Sequence, residues 1–370
     1  MEPGITEQIR RNSLLIERQR SLGAVIGEVF AWDMALSFGD PKAEHDRVRT
    51  DVGLVDLSFC GAIKLGGAEA IPFFNGLITN DVKTLKDGHG MQAAFLTAHG
   101  KVSGLCRVLA FDGEYLIINE PQTHEKIYNT LFPFSYAGDF KVSDVSDEYR
   151  ILSVQGRKAL LVMKEVCFEP VPALEAHGWI RTIIAGHETL VVRADRAGEI
   201  GYDILAPSTG LADVWDFVLL KGAFHSITPF GLDALNSLRV EAGIPIYGVD
   251  VDENNMMLET GLNAAVSLTK GCYKGQEAVA MATYRGHVSK LLSGLILSGD
   301  ELPSPGARIF KEDKDVGYIT SAIRSSTIEK IIALGYVKYG VFDPGTALQV
   351  RSESQTLSAV VVALPFYGNN

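Results

Sequence analysis

The stretch Lys270-Gly271-Cys272-Tyr273-Lys274-Gly275-Gln276-Glu277 carries the most reactive arrangement in the chain. A cysteine stands between two glycines, with a lysine two residues away on each side, just ahead of a segment expected to be helical from Gln276 to Tyr284. Neighbouring ammonium groups and a helix N-terminus both favour a thiolate. The plainer reading is a tight turn around a small buried cysteine, since unligated cysteine packs as a hydrophobe. A second stretch runs from Arg193 to Asp203 and sets Glu199 between two glycines beside a strand. A carboxylate there can accept two parallel hydrogen bonds from a planar donor edge; it can equally be a charged turn residue. The third runs from Gly231 to Gly248. Leu232, Leu235, Leu238 and Ala242 form one helical face, and Arg239 and Glu241 lie off it. Arg239 either clamps a carboxylate or pairs on the surface with Asp233 or Glu241, worth roughly 0.3–0.5 kcal/mol. The loop Ile244-Pro245-Ile246-Tyr247-Gly248 adds one amphipathic aromatic, Tyr247.

Composition narrows the classes. The 370 residues are 46% hydrophobic and 21% charged, enough for two or three globular domains. A formal net charge of -11 argues against a global nucleic-acid footprint. Cys60, Cys106, Cys167 and Cys272 are scattered, with no C-x-x-C pair. That usage fits a reducing cytoplasm better than a stapled secreted fold. The polar run Glu7-Gln8-Ile9-Arg10-Arg11 predicts no secretion signal, and no apolar run is long enough to span a bilayer. The eight histidines show no metal-ligand spacing, so no metal site is expected.

The elements that must position these residues read as α+β. Helices are expected over Ile5 to Leu22 and Lys42 to Asp51, the latter with Glu44, His45 and Arg47 on a solvated face. A repeat follows. Ala62 to Gly67 is a strand ending in glycine before a helix, Ala68 to Leu77. Tyr149 to Gly156 does the same before Arg157 to Val166. Each unit continues with strands (Met91–Leu96, Val102–Ala110 and Tyr115–Asn119; then Ile180–Ala185, Glu188–Ala194 and Gly201–Leu205). Each closes with a helix, Gln122–Leu131 or Gly210–Leu220. Two such halves would enclose a cleft suited to a small ligand. Beyond Lys290, six short strands separated by turn residues predict a small β-barrel or sandwich. The expected domains are 1–145, 146–288 and 289–370.

The ordered motifs G-E-x-G-Y, L-R-x-E-A-G-x-P-x-Y-G and K-G-C-Y-x-G-Q-E together resemble the glycine-cleavage T-protein superfamily of folate-binding proteins. Phe30-Ala31-Trp32-Asp33-Met34, Glu44-His45, Val52 to Ser58 and Thr79-Asn80-Asp81-Val82 extend the likeness along nearly the whole chain. The cysteine loop and the ending Leu364-Pro365-Phe366-Tyr367 look like the YgfZ-like branch, whose members bind folate and support maturation of iron–sulfur enzymes. The resemblance implies three domains in a cloverleaf around a folate channel, with a C-terminal barrel. It implies a tetrahydrofolate site of Glu199, Arg239, Tyr202, Tyr247, Lys270 and Gln276, with Glu199 on the pterin and Cys272 as the catalytic candidate. Iron–sulfur assembly proteins or lipoyl carrier proteins are the implied partners, apart from the folate itself.

One departure bears on mechanism. The transferases of this superfamily carry acidic residues where this chain has Gly104 and Leu105. Loss of a positioned acid–base group typically slows a reaction ~10²–10⁴-fold. Asp81 or Asp56 could substitute. The reading is therefore a tetrahydrofolate-binding protein of one-carbon metabolism or iron–sulfur maturation. The alternatives are a folate-dependent aminomethyltransferase or methyltransferase and a non-enzymatic iron–sulfur assembly adaptor.

Overall fold

The computed structural model describes residues 10–351 and 355–367. The expected N-terminal helix begins outside them. Within them the stretch is a short strand, Arg11–Asn12, then a helix, Ile16–Ser21. Ser13 decides the change: its Oγ accepts from the Leu15 backbone N–H at 3.0 Å and donates to Asp56, fixing where the helix begins. Val25–Val29 and Trp32–Ser37 form a hairpin, turned by Phe30 and Ala31, both with left-handed backbones.

The duplicated α+β pattern appears in the sheets. In the first, Gly90–Leu96, Val102–Phe111, Glu114–Asn119 and Gly61–Gly66 lie side by side in that order. In the second, Trp179–Ile184, His187–Arg193, Gly201–Pro207 and Tyr149–Gln155 do the same. Each sheet therefore places its first strand last, beside its fourth. Lys141–Asp144 extends the first sheet, whereas Gly53–Asp56 crosses over to extend the second. The chain is thus interleaved between the halves ahead of residue 60.

Six strands from Lys290–Leu297 to Thr356–Val362 close into a barrel. Strand Thr356–Val362 buries Leu357, Ala359 and Val361 and exposes the residues between them, the period-two pattern of a one-sided strand.

Helices Pro41–Thr50 and Leu232–Glu241 pack between the halves and the barrel. Asp40 caps the first, accepting from Lys42 N–H at 2.9 Å, with Pro41 at the first helical position. The solvated face expected for it holds at Arg47, which is exposed, and is corrected at Glu44 and His45, which are buried with Val48 and Arg49. Glu44 accepts from the N–H groups of Gly231 at 2.7 Å and Phe38 at 2.6 Å, so it ties the start of the second helix to the hairpin. Gly231 is required there, because a Cβ would lie 2.1 Å from the Leu36 carbonyl oxygen.

Candidate functional site

A cavity of about 380 Å³ lies between the two sheets. The first sheet supplies Gln92, Leu105, Cys106, Arg107, Asn119 and Glu120; the second supplies His177, Arg193, Asp195 and Arg196. Arg239 and the segment Gly243 to Ile246 close it from the helical side.

Strand geometry explains which side chains face inward. Along Gly201–Pro207, Tyr202, Ile204 and Ala206 pack into the core under the helices, so Asp203 points the other way. There Asp203 accepts from Arg196 Nε at 2.9 Å and Nη2 at 2.7 Å, from Arg107 Nη1 at 2.9 Å and from Ser153 Oγ at 2.7 Å. Burial alone would raise the Asp203 carboxyl, but the two arginines outweigh it and hold it below the usual carboxylate range. Burial, reinforced by Arg107, lowers His177 to about 4, so its imidazole is neutral near pH 7. Cys60 and Cys106 also line the cavity, and burial pushes each thiol up to about 12. They are inert packing groups.

Of the seven residues expected at the site, Arg239 alone reaches the cavity wall. It is buried, not surface-paired: Nη1 binds Asp250, Nη2 donates to Ser321 Oγ at 2.8 Å and Nε to Asn236 at 2.9 Å. Its role there is to join the helix to the barrel.

Glu199 stands apart from the cavity. It is buried against Arg49 at 3.3 Å, in a cluster centred on Glu241. Glu241 takes hydrogen bonds from His45 Nε2 at 2.8 Å, Arg49 Nη2 at 2.8 Å, Ser325 Oγ at 2.5 Å and Thr327 Oγ1 at 2.8 Å. Burial works against its charge, yet these donors bring its pKa down to about 2. The surface reading of Glu241 is corrected, since the helix carrying it is sandwiched and both its flanks are covered.

Tyr202 faces the opposite side of its strand, as above. Tyr247 is buried beside the first sheet with Ala94 and Val102, while its neighbour Ile246 lines the cavity. Lys270 is buried, and its Nζ donates to the carbonyls of Asn75 at 2.6 Å, Ile78 at 2.8 Å and Asn80 at 2.6 Å. It stitches the cysteine loop to the turn after the helix Ala70–Asn75. Gln276 is the first residue of the helix Gln276–Arg285. Gly275 ahead of it has φ +82°, and a Cβ there would lie 2.6 Å from the Thr97 carbonyl oxygen. Gly275 thus allows close packing, whereas Gly271 faces open space, and Cys272 is left exposed outside the cavity.

Gly104 and Leu105 also separate by face. A Cβ on Gly104 would meet Ile127 at 3.1 Å, under the helix His124–Leu131, whereas Leu105 lines the cavity. The proposed substitutes are elsewhere. Asp56 is saturated by Ser13, Gln19 and Ser58, and Asp81 caps the turn Val82–Thr84. The cavity's own carboxylates are Asp195 and Glu120. Asp195 is held by Arg193 through Nε and Nη2. Glu120 is half-buried, and its carboxylate has no hydrogen bond or ion pair among the described residues.

The sequence matches the GCVT N-terminal domain over residues 15–270 and the glycine cleavage T-protein C-terminal barrel domain over residues 290–368. The chain belongs to the glycine cleavage T-protein family. An aminomethyltransferase of Bacillus pumilus (strain SAFR-032) is 31% identical over 356 residues, covering 95% of this chain and 97% of the relative. One from Caldanaerobacter subterraneus is 30% identical, covering 96% of each chain. The crystal structure of glycine cleavage system aminomethyltransferase T from Bartonella henselae superposes with a TM-score of 0.89 over 97% of this chain and 98% of that one. At 21% identity that likeness shows the shared T-protein fold, with its α+β halves and C-terminal barrel. These likenesses reach the family as a whole and do not single out the YgfZ-like branch, which rests on the cysteine loop and the ending Leu364 to Tyr367.

Proposed function

We propose that the cavity binds tetrahydrofolate and that the protein moves a one-carbon unit between an amine and that folate, as an aminomethyltransferase-type enzyme. The relatives matched along nearly their whole length are aminomethyltransferases, which supports the transferase reading over iron–sulfur maturation. One structural observation carries it. Cys106 pairs with Asn119 at the last rung of the ladder, and the residues just beyond that rung, Leu105 and Glu120, both line the cavity. Glu120 therefore supplies, from the neighbouring strand, a carboxylate beside the position where the acid is missing. Its free oxygens can orient an amine and take up or return its proton as charge develops. Arg107 and Arg196, both held by the buried Asp203 behind them, form a fixed polar wall of the same cavity.

The test is one-carbon transfer to tetrahydrofolate, from a lipoyl-carrier-bound aminomethyl group or a small methylated amine. Wild type should turn over, and Glu120→Gln should lower kcat ~10²–10⁴-fold. Equal rates for the two proteins, or no tetrahydrofolate binding by wild type, would overturn the proposal.

A second reading keeps the protein as a folate-dependent partner of iron–sulfur assembly. Its support is the exposed thiol of Cys272, four residues ahead of the helix Gln276–Arg285, on the loop that resembles the YgfZ-like signature. Loss of iron–sulfur enzyme activity in cells carrying Cys272→Ser would favour it.

A further inference from the structure

The hairpin of Val25–Val29 and Trp32–Ser37 turns through Phe30 and Ala31 alone, because Val29 pairs with Trp32. Both turn residues are left-handed, Phe30 at φ 52° and Ala31 at φ 63°. That geometry ordinarily selects Asn-Gly or Asp-Gly, since a Cβ at positive φ crowds the backbone. Two hairpins of the same length keep to the rule: Asp112-Gly113 and Ala185-Gly186 each carry glycine in the second place. Phe30-Ala31 carries none, and a bulky residue in the left-handed region is a genuine outlier. Its neighbours enforce it. The Arg11 N–H donates to the Ala31 carbonyl at 2.9 Å. Trp32, the next residue, holds the guanidinium groups of Arg11 and Arg150 at 5.7 and 5.8 Å from its ring centroid.

The strained residue reaches the cavity wall at one remove. The Phe30 ring meets that of Phe59 edge-on, with centroids 6.2 Å apart and planes at 71°. Phe59 lines the inter-sheet cavity together with Leu57 and Cys60. These residues belong to the link between Gly53–Asp56 in the second sheet and Gly61–Gly66 in the first. Hydrogen bonds pin the start of the link: the Leu57 N–H donates to the Ile151 carbonyl at 2.9 Å, and the Ser58 N–H to Asp56 at 2.9 Å. A phenyl ring has no such bond to make, so the Phe59 side chain is placed by packing alone. One edge-on aromatic contact returns at most what one left-handed residue costs, and the turn holds two. Stability alone therefore does not account for this turn. Strained backbone that its surroundings enforce is a feature of active sites and ligand clamps.

We propose that the Phe30-Ala31 turn is a brace. Its strained backbone presses Phe30 against Phe59 and so fixes the cavity wall where the chain passes from one sheet to the other. Phe30 is then a positioning residue for the ligand of that cavity, tetrahydrofolate on the reading above, on which the affinity part of the test rests.

Wild type, Phe30→Gly and Ala31→Gly test this as full-length proteins. Scanning calorimetry reads the strain, fluorescence titration with tetrahydrofolate reads the affinity, and crystal structures of the ligand-free proteins read the Phe59 ring. Ala31→Gly should raise Tm by about 1 °C and leave the affinity within a factor of about two. Phe30→Gly should keep Tm within about 2 °C of wild type, because relief of strain offsets the lost contact. It should nonetheless weaken tetrahydrofolate about tenfold, the scale of one aromatic contact, and displace the Phe59 ring. Cutting back an ordinary core phenylalanine would lower Tm by about 4 °C or more in a chain of this size. A loss of that size in Phe30→Gly, or an affinity equal to wild type's, would make Phe30 a plain packing residue and overturn the proposal. So would a lower Tm for Ala31→Gly, because the turn would then hold no strain, or a Phe59 ring unmoved in Phe30→Gly. A wild type that binds no tetrahydrofolate would remove the folate reading, and the Phe59 ring and the two Tm values would still decide the brace.

Discussion

Replacing Glu241 with glutamine should destabilise the protein by about 3–5 kcal/mol, the usual penalty for stranding one side of a buried ion pair. Glu241 is fully buried and holds Arg49 and His45 from one helix and Ser325 and Thr327 from the barrel. Glutamine keeps the shape but leaves Arg49 with its distant bridge to Glu199 at 3.3 Å and backbone carbonyls. Linkage gives a similar size. The Glu241 carboxyl falls from its ordinary 4.5 to about 2, and each unit is worth about 1.4 kcal/mol, so the total is about 3 kcal/mol. The sign follows from a lowered folded pKa: this stabilisation is complete above about pH 4.5 and disappears as pH falls towards 2. Unfolding entropy near 2.1 cal/mol/K per residue makes the whole chain lose about 5 °C in Tm, if the 370 residues melt together. Scanning calorimetry of wild type, Glu241→Gln and Glu199→Gln at several pH values measures all of this. Glu199→Gln should cost only about 1 kcal/mol, since its two bridges, to Arg49 at 3.3 Å and to the exposed Arg157 at 4.0 Å, are both long. Equal losses for the two variants, or a wild type-to-Glu241→Gln gap that does not narrow below pH 4.5, would refute the reasoning.

Cys272→Ser should leave tetrahydrofolate affinity within a factor of about two, read by fluorescence titration, because the thiol lies outside the cavity. Lys270→Met should cost about 2–4 kcal/mol in urea unfolding, since three buried carbonyls lose their shared donor. With His177 held near 4, any ligand affinity that depends on its neutral ring should be flat between pH 6 and 8 and fall as pH drops through 4, as calorimetric titration would show.

The fold was legible because its signals are periodic. The two repeats and the alternating barrel strands are written in hydrophobic spacing, and the sheets follow that order closely. The crossover of Gly53–Asp56 was not legible, because nothing in a short apolar strand says which sheet will take it. The site was harder, for a reason the strands make plain. Glu199 stood out between glycines, yet glycines mark tight backbone as readily as a ligand, and the side chain turns into the junction with the barrel. The better signal was a lone charge inside an apolar strand: Asp203 within Gly201–Pro207 and Arg107 within Val102–Phe111. Such residues must be paired or face a cavity. The surface pairing weighed for Arg239 with Glu241 fails because helical spacing shows one buried face, while the barrel covers the other.

The account turns on which part of the molecule receives the folate. A crystal structure grown with tetrahydrofolate measures that directly. The account predicts ligand density between the two sheets, touching Leu105 and Arg239, with Glu120 at the reacting nitrogen. Density at the cysteine loop or against Glu199, with the inter-sheet cavity empty, would contradict it.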